Sequence, residues 1–394
     1  MSAAVGPSPD PGPLRVGIVA GESSGDTLGA ALIGALRQLD PGVQCFGVAG
    51  PRMIAAGCEA WVGSEELAVM GLVEVLHHLP RLLRLRSSLT TRFAAARPDV
   101  FVGIDAPEFN LGLARRLKAR GLRTVQYVSP QVWAWRQGRV RTIGRSCDLV
   151  LCLLPFETDF YTRHAVHAQF VGHPLADQIP LEADQAGARA ALGISSQARV
   201  IALLPGSRLG EVERLGADFA AAAAWIGAQR PGTQFIAPMA SSGVREIFER
   251  QIAASQPVPR ITLIDGQSQR VLAAADAAIV ASGTATLETL LTGRPMVVAY
   301  RLSAITAFLL RALGMIKVPY FSQPNLLMGR ALVPEFLQEQ VTGPALGAAL
   351  LAQTENEAHV AQLRREFRQV HENLRRGGAR LAATAILDCA RRPR

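Results

Sequence analysis

Short apolar runs alternate with stretches of helical periodicity along most of this chain. In the first half the apolar runs cover residues 14–20, 43–48, 100–104, 124–128, 149–153 and 169–171, and in the second half 200–204, 234–237, 261–264, 277–281 and 296–299. Helical periodicity between them is clearest over 26–39, 111–120, 211–228 and 284–291. Continuous apolar strands joined by helices are typical of parallel sheets covered on both faces, so the pattern predicts an α/β fold.

The length of 394 residues exceeds what a single core usually fills and favours two domains. We predict a disordered leader over 1–13, without the pattern of a signal peptide, and a Rossmann-like domain over 14–175. A second Rossmann-like domain follows over 176–365, and a helical tail over 366–394 that can cross back to the first domain. Ligands of such sheets bind beyond the carboxyl ends of the strands, so we expect the site in the turns there.

The composition is typical of a folded globular protein without a membrane-spanning helix. Hydrophobic residues make up 49% of the chain and charged residues 19%, as in a well-buried globular protein. The five cysteines are scattered and contain no CxxC pair, which favours reduced thiols in the cytoplasm. No apolar run reaches the roughly 18 residues that a membrane-spanning helix needs.

Positive charge is concentrated in the first half of the chain. Residues 81–145 hold fourteen cationic residues against three acidic ones. Such a stretch suits nucleic acid, anionic lipid or a phosphorylated substrate, although a solvated face gives the same composition. Acidic residues at the strand ends and the lack of an aromatic RNA-binding pattern argue against nucleic acid as a partner.

Two turns in the second half have the composition of phosphate-binding loops. The turn 205–208 follows one apolar strand, and the small-residue stretch that begins at Ser282 follows another. Ser282 or Thr284 can cap the next helix, whose first amides and dipole favour an anion. Glu288 lies one helical turn after Thr284, where a carboxylate can hold the hydroxyls of a ribose. Together the two turns predict a site for a nucleoside diphosphate.

Two polar segments follow strands in the first half. The turn 21–26 is not a GxGxxG fingerprint, and Glu22 and Ser24 make it more polar than a plain turn requires, so we interpret it as a substrate-facing loop. Asp105 ends an apolar strand, where its carboxylate can take a proton from an attacking hydroxyl. The same residue can instead be the N-cap of a helix that begins near Pro107, and position alone does not separate the two roles.

The segment 70–86 mixes apolar residues with histidine and arginine and has no acidic residue after Glu74. This composition favours a surface that contacts acyl chains and anionic head groups. An ordinary amphipathic pair of helices, broken at Pro80, is the alternative.

Nine motifs in order along the chain resemble those of the lipid-A-disaccharide synthase family. They are GESSGDTLGA (21–30), VMGLVEVL (69–76), GIDAPEFN (103–110), SPQVWAW (129–135), LPFE (154–157), VGHPLAD (171–177), LPGSR (204–208), SGTATLE (282–288) and VPYFSQPNLL (318–327). The similarity extends from about residue 14 to the C-terminal helices. A single motif such as SGTATLE would be weak, but the ordered set is specific.

The resemblance implies an inverting glycosyltransferase of lipopolysaccharide biosynthesis with the GT-B fold, in which two Rossmann-like domains face a cleft. The implied substrates are UDP-2,3-diacylglucosamine and 2,3-diacylglucosamine 1-phosphate (lipid X), and the products are the β-1,6-linked disaccharide 1-phosphate and UDP. Members of the family are peripheral proteins on the cytoplasmic face of the inner membrane. The resemblance implies no cofactor and no metal, and it leaves open whether the chain forms a homodimer.

The resemblance also implies roles for individual residues. The residues implied for the UDP donor are Ser207, Arg208, Gly283, Thr284, Ala285, Thr286, Glu288 and Asn325. Asp105 is implied as the general base on the acceptor 6-hydroxyl, with Glu22 and Ser24 close by. The residues implied for acceptor and membrane contact are Met70, Leu72, Val73, Val75, Leu76, Arg81 and Arg84.

Two rival functions remain at this point. Another UDP-sugar transferase or epimerase of the same fold would act on a soluble acceptor, which leaves the composition of 70–86 without a role. A non-catalytic protein that binds lipid or nucleotide is disfavoured because every polar position that the chemistry needs is filled.

Overall fold

The computed structural model of the chain describes residues 13–21, 23–67, 72–135, 137–302 and 319–392. The fold consists of two compact units, each built on its own parallel sheet. Residues up to Pro174, together with those from Arg376 onward, form the first unit, and Leu175–Arg375 form the second. The predicted leader lies outside the described residues up to position 12.

The first unit contains a seven-stranded sheet in the order β3-β2-β1-β4-β5-β6-β7. Its strands are β1 (Arg15–Ala20), β2 (Gln44–Ala49), β3 (Glu59–Gly63), β4 (Val100–Ile104), β5 (Arg123–Tyr127), β6 (Leu149–Cys152) and β7 (Ala168–Phe170). Its helices are α1 (Ser23–Leu39), α2 (Pro51–Ala55), α3 (Leu72–Ala96), α4 (Pro107–Lys118), α5 (Val132–Trp135), α6 (Val140–Ser146) and α7 (Pro155–Thr162). Every described strand pairing in this sheet is parallel.

The second unit contains a six-stranded sheet in the order β10-β9-β8-β11-β12-β13. Its strands are β8 (Val200–Leu204), β9 (Gln234–Met239), β10 (Ile261–Asp265), β11 (Ala277–Ala281), β12 (Met296–Tyr300) and β13 (Glu335–Leu337). From Pro174 onward the helices are α8 (Pro174–Gln178), α9 (Gln185–Ala191), α10 (Leu209–Gln229), α11 (Ser242–Ala253), α12 (Ser268–Ala274), α13 (Thr284–Leu291), α14 (Gln323–Met328), α15 (Gly343–Glu355), α16 (Glu357–Leu374) and α17 (Gly378–Arg391).

The α/β prediction is confirmed, and the central strands coincide with the apolar runs. β4, β8 and β11 are buried at every position, because helices cover both faces of their sheets. The pattern missed β3 and β13, which lie at sheet edges. Edge strands are covered less completely, so β3 is partly exposed throughout and lacks an apolar run.

The C-terminal tail divides between the units. α16 belongs to the second unit, whereas α17 packs against α1 and contributes Ala382, Ala383 and Ile386 to the core of the first. The apolar face of α17 thereby covers one side of the first sheet, so the last helix is part of that unit's core.

The segment around Pro80 differs from the alternative of two broken helices. α3 continues through Pro80 as one helix of 25 residues. Among the described residues, no helix is both long enough and apolar enough to cross a membrane.

Candidate active site

In each sheet the direction of the strand order reverses at one point. The predicted site residues follow the strands on either side of that point. In the first sheet the change falls between β1 and β4, where Ala20 pairs with Ile104. In the second sheet it falls between β8 and β11, where Leu204 pairs with Val280. Ligands of open α/β sheets bind at these switch points, beyond the carboxyl ends of the strands. The topology therefore places each pair of predicted turns side by side.

Asp105 lies directly after β4 in a left-handed backbone conformation, with φ of 50°. The N-cap of α4 is Ala106, and no side chain caps this helix, so the alternative role of Asp105 as an N-cap is wrong. The Asp105 carboxylate instead accepts hydrogen bonds from the Ala106 amide and the Ser24 hydroxyl.

The environment of Asp105 favours proton uptake. Burial raises the pKa of Asp105 above its ordinary value, and the hydrogen bonds from Ala106 and Ser24 oppose the rise. A carboxylate of raised pKa is a stronger base, which suits the abstraction of a proton from a hydroxyl. Ser24 is thus brought to Asp105 as predicted, whereas Glu22 lies outside the described residues.

In the second unit, the turn after β8 presents one exposed cation. The Arg208 side chain is 80% exposed and lies 3.4 Å from a carboxylate oxygen of Glu211. Glu211 also accepts the amides of Ser207 at 3.0 Å and Arg208 at 3.3 Å. These two amides are therefore engaged within the protein, whereas Ser207 and Arg208 themselves are exposed. Glu211 was not among the predicted site residues, although a glutamate at the third position of a helix is a typical capping residue.

Gly206 permits the tight path of this turn. Its φ is +138°, and a Cβ at this position would lie 2.5 Å from the Glu211 Cβ. A larger residue would push the first turn of α10 away from the loop, so the glycine is required for the Glu211 contacts.

The turn after β11 differs from prediction at its cap. Gly283 is the N-cap of α13, so neither Ser282 nor Thr284 has that role. The Ser282 hydroxyl donates instead to the Phe321 carbonyl at 3.0 Å.

The first residues of α13 differ in burial and in whether their backbone amides are already hydrogen-bonded. Thr286 is buried, and both its amide and its hydroxyl donate to the Gly283 carbonyl. Gly283 and Thr284 are exposed and Ala285 is partly exposed, so an anion at the start of this helix would meet the amides of these residues and not the engaged amide of Thr286.

Glu288 is held close to the start of α12. The Ser268 hydroxyl hydrogen-bonds to the Glu288 carboxylate, and burial raises the pKa of this carboxylate while the hydrogen bond lowers it. The side chain keeps a partly exposed surface. This arrangement is compatible with a carboxylate that accepts sugar hydroxyls.

Asn325 has no polar atom available for a phosphate. It is 1% exposed, and its amide nitrogen donates to the Val333 carbonyl and to Glu335, both at 2.9 Å. Its oxygen accepts the amides of Leu332 at 2.7 Å and Val333 at 2.9 Å. The side chain thus makes every hydrogen bond that an amide group can make. The structure contradicts the predicted phosphate contact and shows Asn325 as a support for this loop.

Glu335, which was not among the predicted site residues, is the main side-chain partner of this loop. Its carboxylate accepts the amides of Phe321 and Ser322, at 3.2 and 2.9 Å, and the Ser322 hydroxyl at 2.5 Å. Together with the Asn325 contact, these bonds tie the start of α14 to β13. No local signal distinguishes this glutamate, because its partners are ten or more residues away.

The membrane-contact residues are described only in part. The side chains of Leu72, Val73, Val75 and Leu76, and the whole of Met70, lie outside the described residues. Arg81 and Arg84 are exposed on α3, and Arg81 forms an ion pair with Glu66. Leu79 and Leu83 on the same helix are 42% and 41% exposed.

Across the described ranges, no three histidine, cysteine or acidic side chains are grouped so that they can hold a metal ion.

A buried carboxylate supports the loop that carries the two neighbouring tryptophans. Glu157 is 3% exposed and accepts the Trp133 indole N–H at 3.1 Å and the Leu154 amide at 3.0 Å. Burial raises the pKa of Glu157 to about 7, from an ordinary value of 4.5, although hydrogen bonds from Leu154, Trp133 and Ser129 oppose the rise.

We expect Glu157 to make the stability of the first unit depend on pH. Because its folded pKa is raised, the stability it contributes is complete below pH 4.5 and is lost as pH rises through about 7. The loss amounts to at most about 3 kcal/mol. Calorimetric unfolding at pH 5 and pH 8 checks this: the Glu157→Gln variant should lose less stability between the two pH values than the wild type.

The exposed Glu246, in the second unit, provides the matched control, because Glu246→Gln removes a carboxylate without changing a buried one. Equal pH slopes for the wild type and Glu157→Gln would contradict the expectation.

The sequence that forms these turns and strands matches a known protein family. The sequence profile of the lipid-A-disaccharide synthetase family matches residues 16–387, which cover both sheets except the first residue of β1 and extend into α17. The chain belongs to this family. It is therefore a glycosyltransferase of lipid A disaccharide formation, and the resemblance in the motifs is confirmed.

Relatives in the same family match over nearly the whole chain. A lipid-A-disaccharide synthase from Alkalilimnicola ehrlichii is 51% identical over 379 residues, which cover 96% of this chain and 99% of the relative. The synthase from Sodalis glossinidius is 52% identical over 375 residues, covering 95% and 98%. These identities favour the synthase over an epimerase or another transferase.

Solved structures place the fold among the GT-B proteins. UDP-GlcNAc 2-epimerase from Neisseria meningitidis, bound to UDP-GlcNAc, has a TM-score of 0.60 at 12% identity and covers 95% of this chain and 99% of its own. A ugt transferase from Siraitia grosvenorii in complex with UDP has a TM-score of 0.59 at 11% identity, covering 96% and 100%. At such low identity the likeness concerns the fold alone.

Proposed function

We propose that the chain joins UDP-2,3-diacylglucosamine to 2,3-diacylglucosamine 1-phosphate (lipid X). The acceptor 6-hydroxyl oxygen attacks the anomeric carbon of the donor, and the bond from that carbon to the β-phosphate breaks. The hydroxyl proton passes to a base, UDP leaves, and the new β-1,6 linkage has inverted configuration. The observation that carries the proposal is the family match across both sheets, with the predicted polar turns at each switch point.

On the first unit, Asp105 is the proposed base. Its carboxylate lies at the carboxyl edge of the sheet, its pKa is raised by burial, and Ser24 donates to it. We propose that Ser24 helps to orient this carboxylate toward the acceptor hydroxyl.

On the second unit, Arg208 is the proposed partner of the diphosphate. The leaving diphosphate gains negative charge as the glycosidic bond breaks, so a guanidinium that holds it lowers the barrier. The amides of Thr284 and Ala285 add partial positive charge at the same phosphate, and Glu288 is the proposed acceptor of the ribose hydroxyls. We propose that these groups act without a metal ion or another cofactor.

We also propose that α3 contacts the inner membrane as a peripheral surface. Leu79 and Leu83 expose apolar area beside Arg81 and Arg84, a combination that suits acyl chains and anionic head groups. The same surface would receive the acyl chains of the two substrates.

Replacing both exposed leucines with serine should weaken membrane association. Because Leu79 and Leu83 already contact solvent, the double variant should fold normally and bind anionic phospholipid vesicles about tenfold less tightly, since apolar burial supplies part of the affinity. Vesicle sedimentation and circular dichroism check the two parts. Val258→Ser, at a position 60% exposed on the second unit, is the control. Unchanged sedimentation, or loss of the folded signal, would contradict this role.

The proposed reaction is tested by UDP release from UDP-2,3-diacylglucosamine in detergent, with and without lipid X, in the presence of EDTA. We expect release that requires lipid X and persists in EDTA. Equal release without lipid X would mean that the acceptor is wrong or that water is the acceptor. Release that stops in EDTA and returns with a divalent cation would overturn the metal-free proposal and leave the transfer reaction intact.

A further inference from the structure

The backbone at Asp105 is held in a conformation that its sequence does not favour. Asp105 and Ala106 have φ of 50° and 39°, and Val128, which follows the neighbouring strand β5, has φ of 75°. Residues with a Cβ rarely adopt left-handed conformations, and they persist only where surrounding contacts determine them. Contacts within the first unit must therefore hold the backbone of Asp105, Ala106 and Val128 in these conformations.

Two buried amide side chains supply that restraint. Asn110 is 0% exposed and Gln126 is 1% exposed. The Asn110 amide nitrogen donates to the Asp105 carbonyl at 2.9 Å, and the Gln126 amide nitrogen donates to the same carbonyl at 3.1 Å. A single carbonyl oxygen has two lone pairs, and both are used here.

The same two nitrogens also lie near the carbonyls that end the adjacent strands. Asn110 approaches the carbonyls of Ile104 at 3.2 Å and Val19 at 3.4 Å, and Gln126 approaches that of Val128 at 3.3 Å. The ends of β1, β4 and β5 are thus drawn together around Asp105.

Gly103 makes room for both amides. A Cβ at this position would lie 2.8 Å from the Asn110 Cβ and 3.2 Å from the Gln126 oxygen. Within the described chain, the oxygens of Asn110 and Gln126 are buried and have no hydrogen-bond partner. Burying an unpaired oxygen is unfavourable, so the hydrogen bonds that the two nitrogens donate are what these side chains contribute to this region.

From this geometry we propose that Asn110 and Gln126 are positioning residues, which hold the Asp105–Ala106 backbone left-handed and thereby aim the Asp105 carboxylate at the acceptor. The inference rests on the proposed function of Asp105 as the base. Neither amide touches substrate, so their contribution is to the orientation of the base. A displacement of a reacting group by about 1 Å can reduce turnover about a hundredfold.

The first test compares Asn110→Ala and Gln126→Ala with the wild type, using UDP-2,3-diacylglucosamine and lipid X. We expect kcat to fall between about tenfold and a hundredfold. The KM for the donor and the affinity for UDP, measured by calorimetry, should stay unchanged, because the donor residues belong to the second unit. Gln251→Ala is the matched control, since it removes an amide that also donates to two backbone carbonyls, those of Val212 and Glu213.

The second test asks whether the lost restraint can be replaced. Glycine adopts left-handed conformations readily, so Ala106→Gly should restore part of kcat when it is combined with Asn110→Ala. A role in packing alone predicts no such rescue. Gly103→Ala should reproduce the loss of kcat, because its Cβ would displace Asn110.

The outcomes separate this inference from the proposed function. If Asp105→Asn is inactive while Asn110→Ala folds and keeps the wild-type kcat, the positioning role is overturned and Asp105 remains the proposed base. Asp105→Asn at the wild-type rate would overturn both. If Asn110→Ala does not fold, Gln126→Ala decides by the same criteria. Loss of kcat only in proportion to the loss of folded protein, without rescue by Ala106→Gly, would also overturn the inference.

Discussion

Asp105→Asn should abolish sugar transfer while UDP binding stays at the wild-type level. The amide keeps the shape of the side chain but cannot accept the proton of the acceptor hydroxyl, and loss of a general base costs about a hundredfold to ten-thousandfold in kcat. UDP affinity should not change, because Arg208 and the α13 turn belong to the second unit. Steady-state turnover and calorimetry with UDP check the two parts separately.

The pH profile gives a second readout of the same role. A base acts when deprotonated, so kcat/KM should rise with pH through the pKa of Asp105. Burial raises that pKa above its ordinary value of 3.8, so the acidic limb should lie above this value. Ser24→Ala removes a hydrogen bond that lowers the pKa, and it should therefore move the limb to higher pH.

Three results would speak against Asp105 as the base. They are wild-type turnover in Asp105→Asn, weaker UDP binding in that variant, and an acidic limb that moves to lower pH in Ser24→Ala. Unchanged thermal unfolding of Asp105→Asn is the control that a loss of activity is not a loss of fold.

Arg208→Ala should weaken UDP binding and reduce turnover together. The Arg208 side chain is 80% exposed, and Glu211 at 3.4 Å engages it only loosely, so the guanidinium is available to the diphosphate. Removing one group that stabilises developing negative charge costs about 3 kcal/mol, or roughly a hundredfold to a thousandfold in kcat. The effect on kcat should exceed the effect on UDP affinity, because charge on the leaving group increases in the transition state.

Two further variants make the Arg208 experiment specific. Arg208→Lys keeps the charge but loses the forked geometry, so its activity should lie between the wild type and Arg208→Ala. Arg250→Ala removes an exposed cation from α11 of the same unit and should behave like the wild type. Unchanged UDP affinity and turnover in Arg208→Ala would remove Arg208 from the donor site.

Much of the fold was predictable because its central strands are buried on both faces. Such strands appear in the sequence as continuous apolar runs, and β4, β8 and β11 coincide with predicted ranges. Two of the four edge strands, β3 and β13, were not predicted, because β3 is exposed or only partly buried throughout and β13 is three partly buried residues long. The other two edge strands, β7 and β10, overlap predicted apolar runs, so an edge position alone does not hide a strand. The turns at Asp105 and Arg208 were predictable for a local reason, since polar and small residues directly follow an apolar strand.

The sequence by itself determined where strands end and which polar groups stand there, because these are properties of neighbours along the chain. Only the tertiary structure decided which of those groups are already hydrogen-bonded within the protein. The amide group of Asn325 makes all its hydrogen bonds to Glu335 and to the backbone of Leu332 and Val333, although its motif predicted a phosphate contact. Asn110 and Gln126 reach Asp105 from a helix and a neighbouring strand. A buried polar group must find its partners in space, and sequence distance does not specify them.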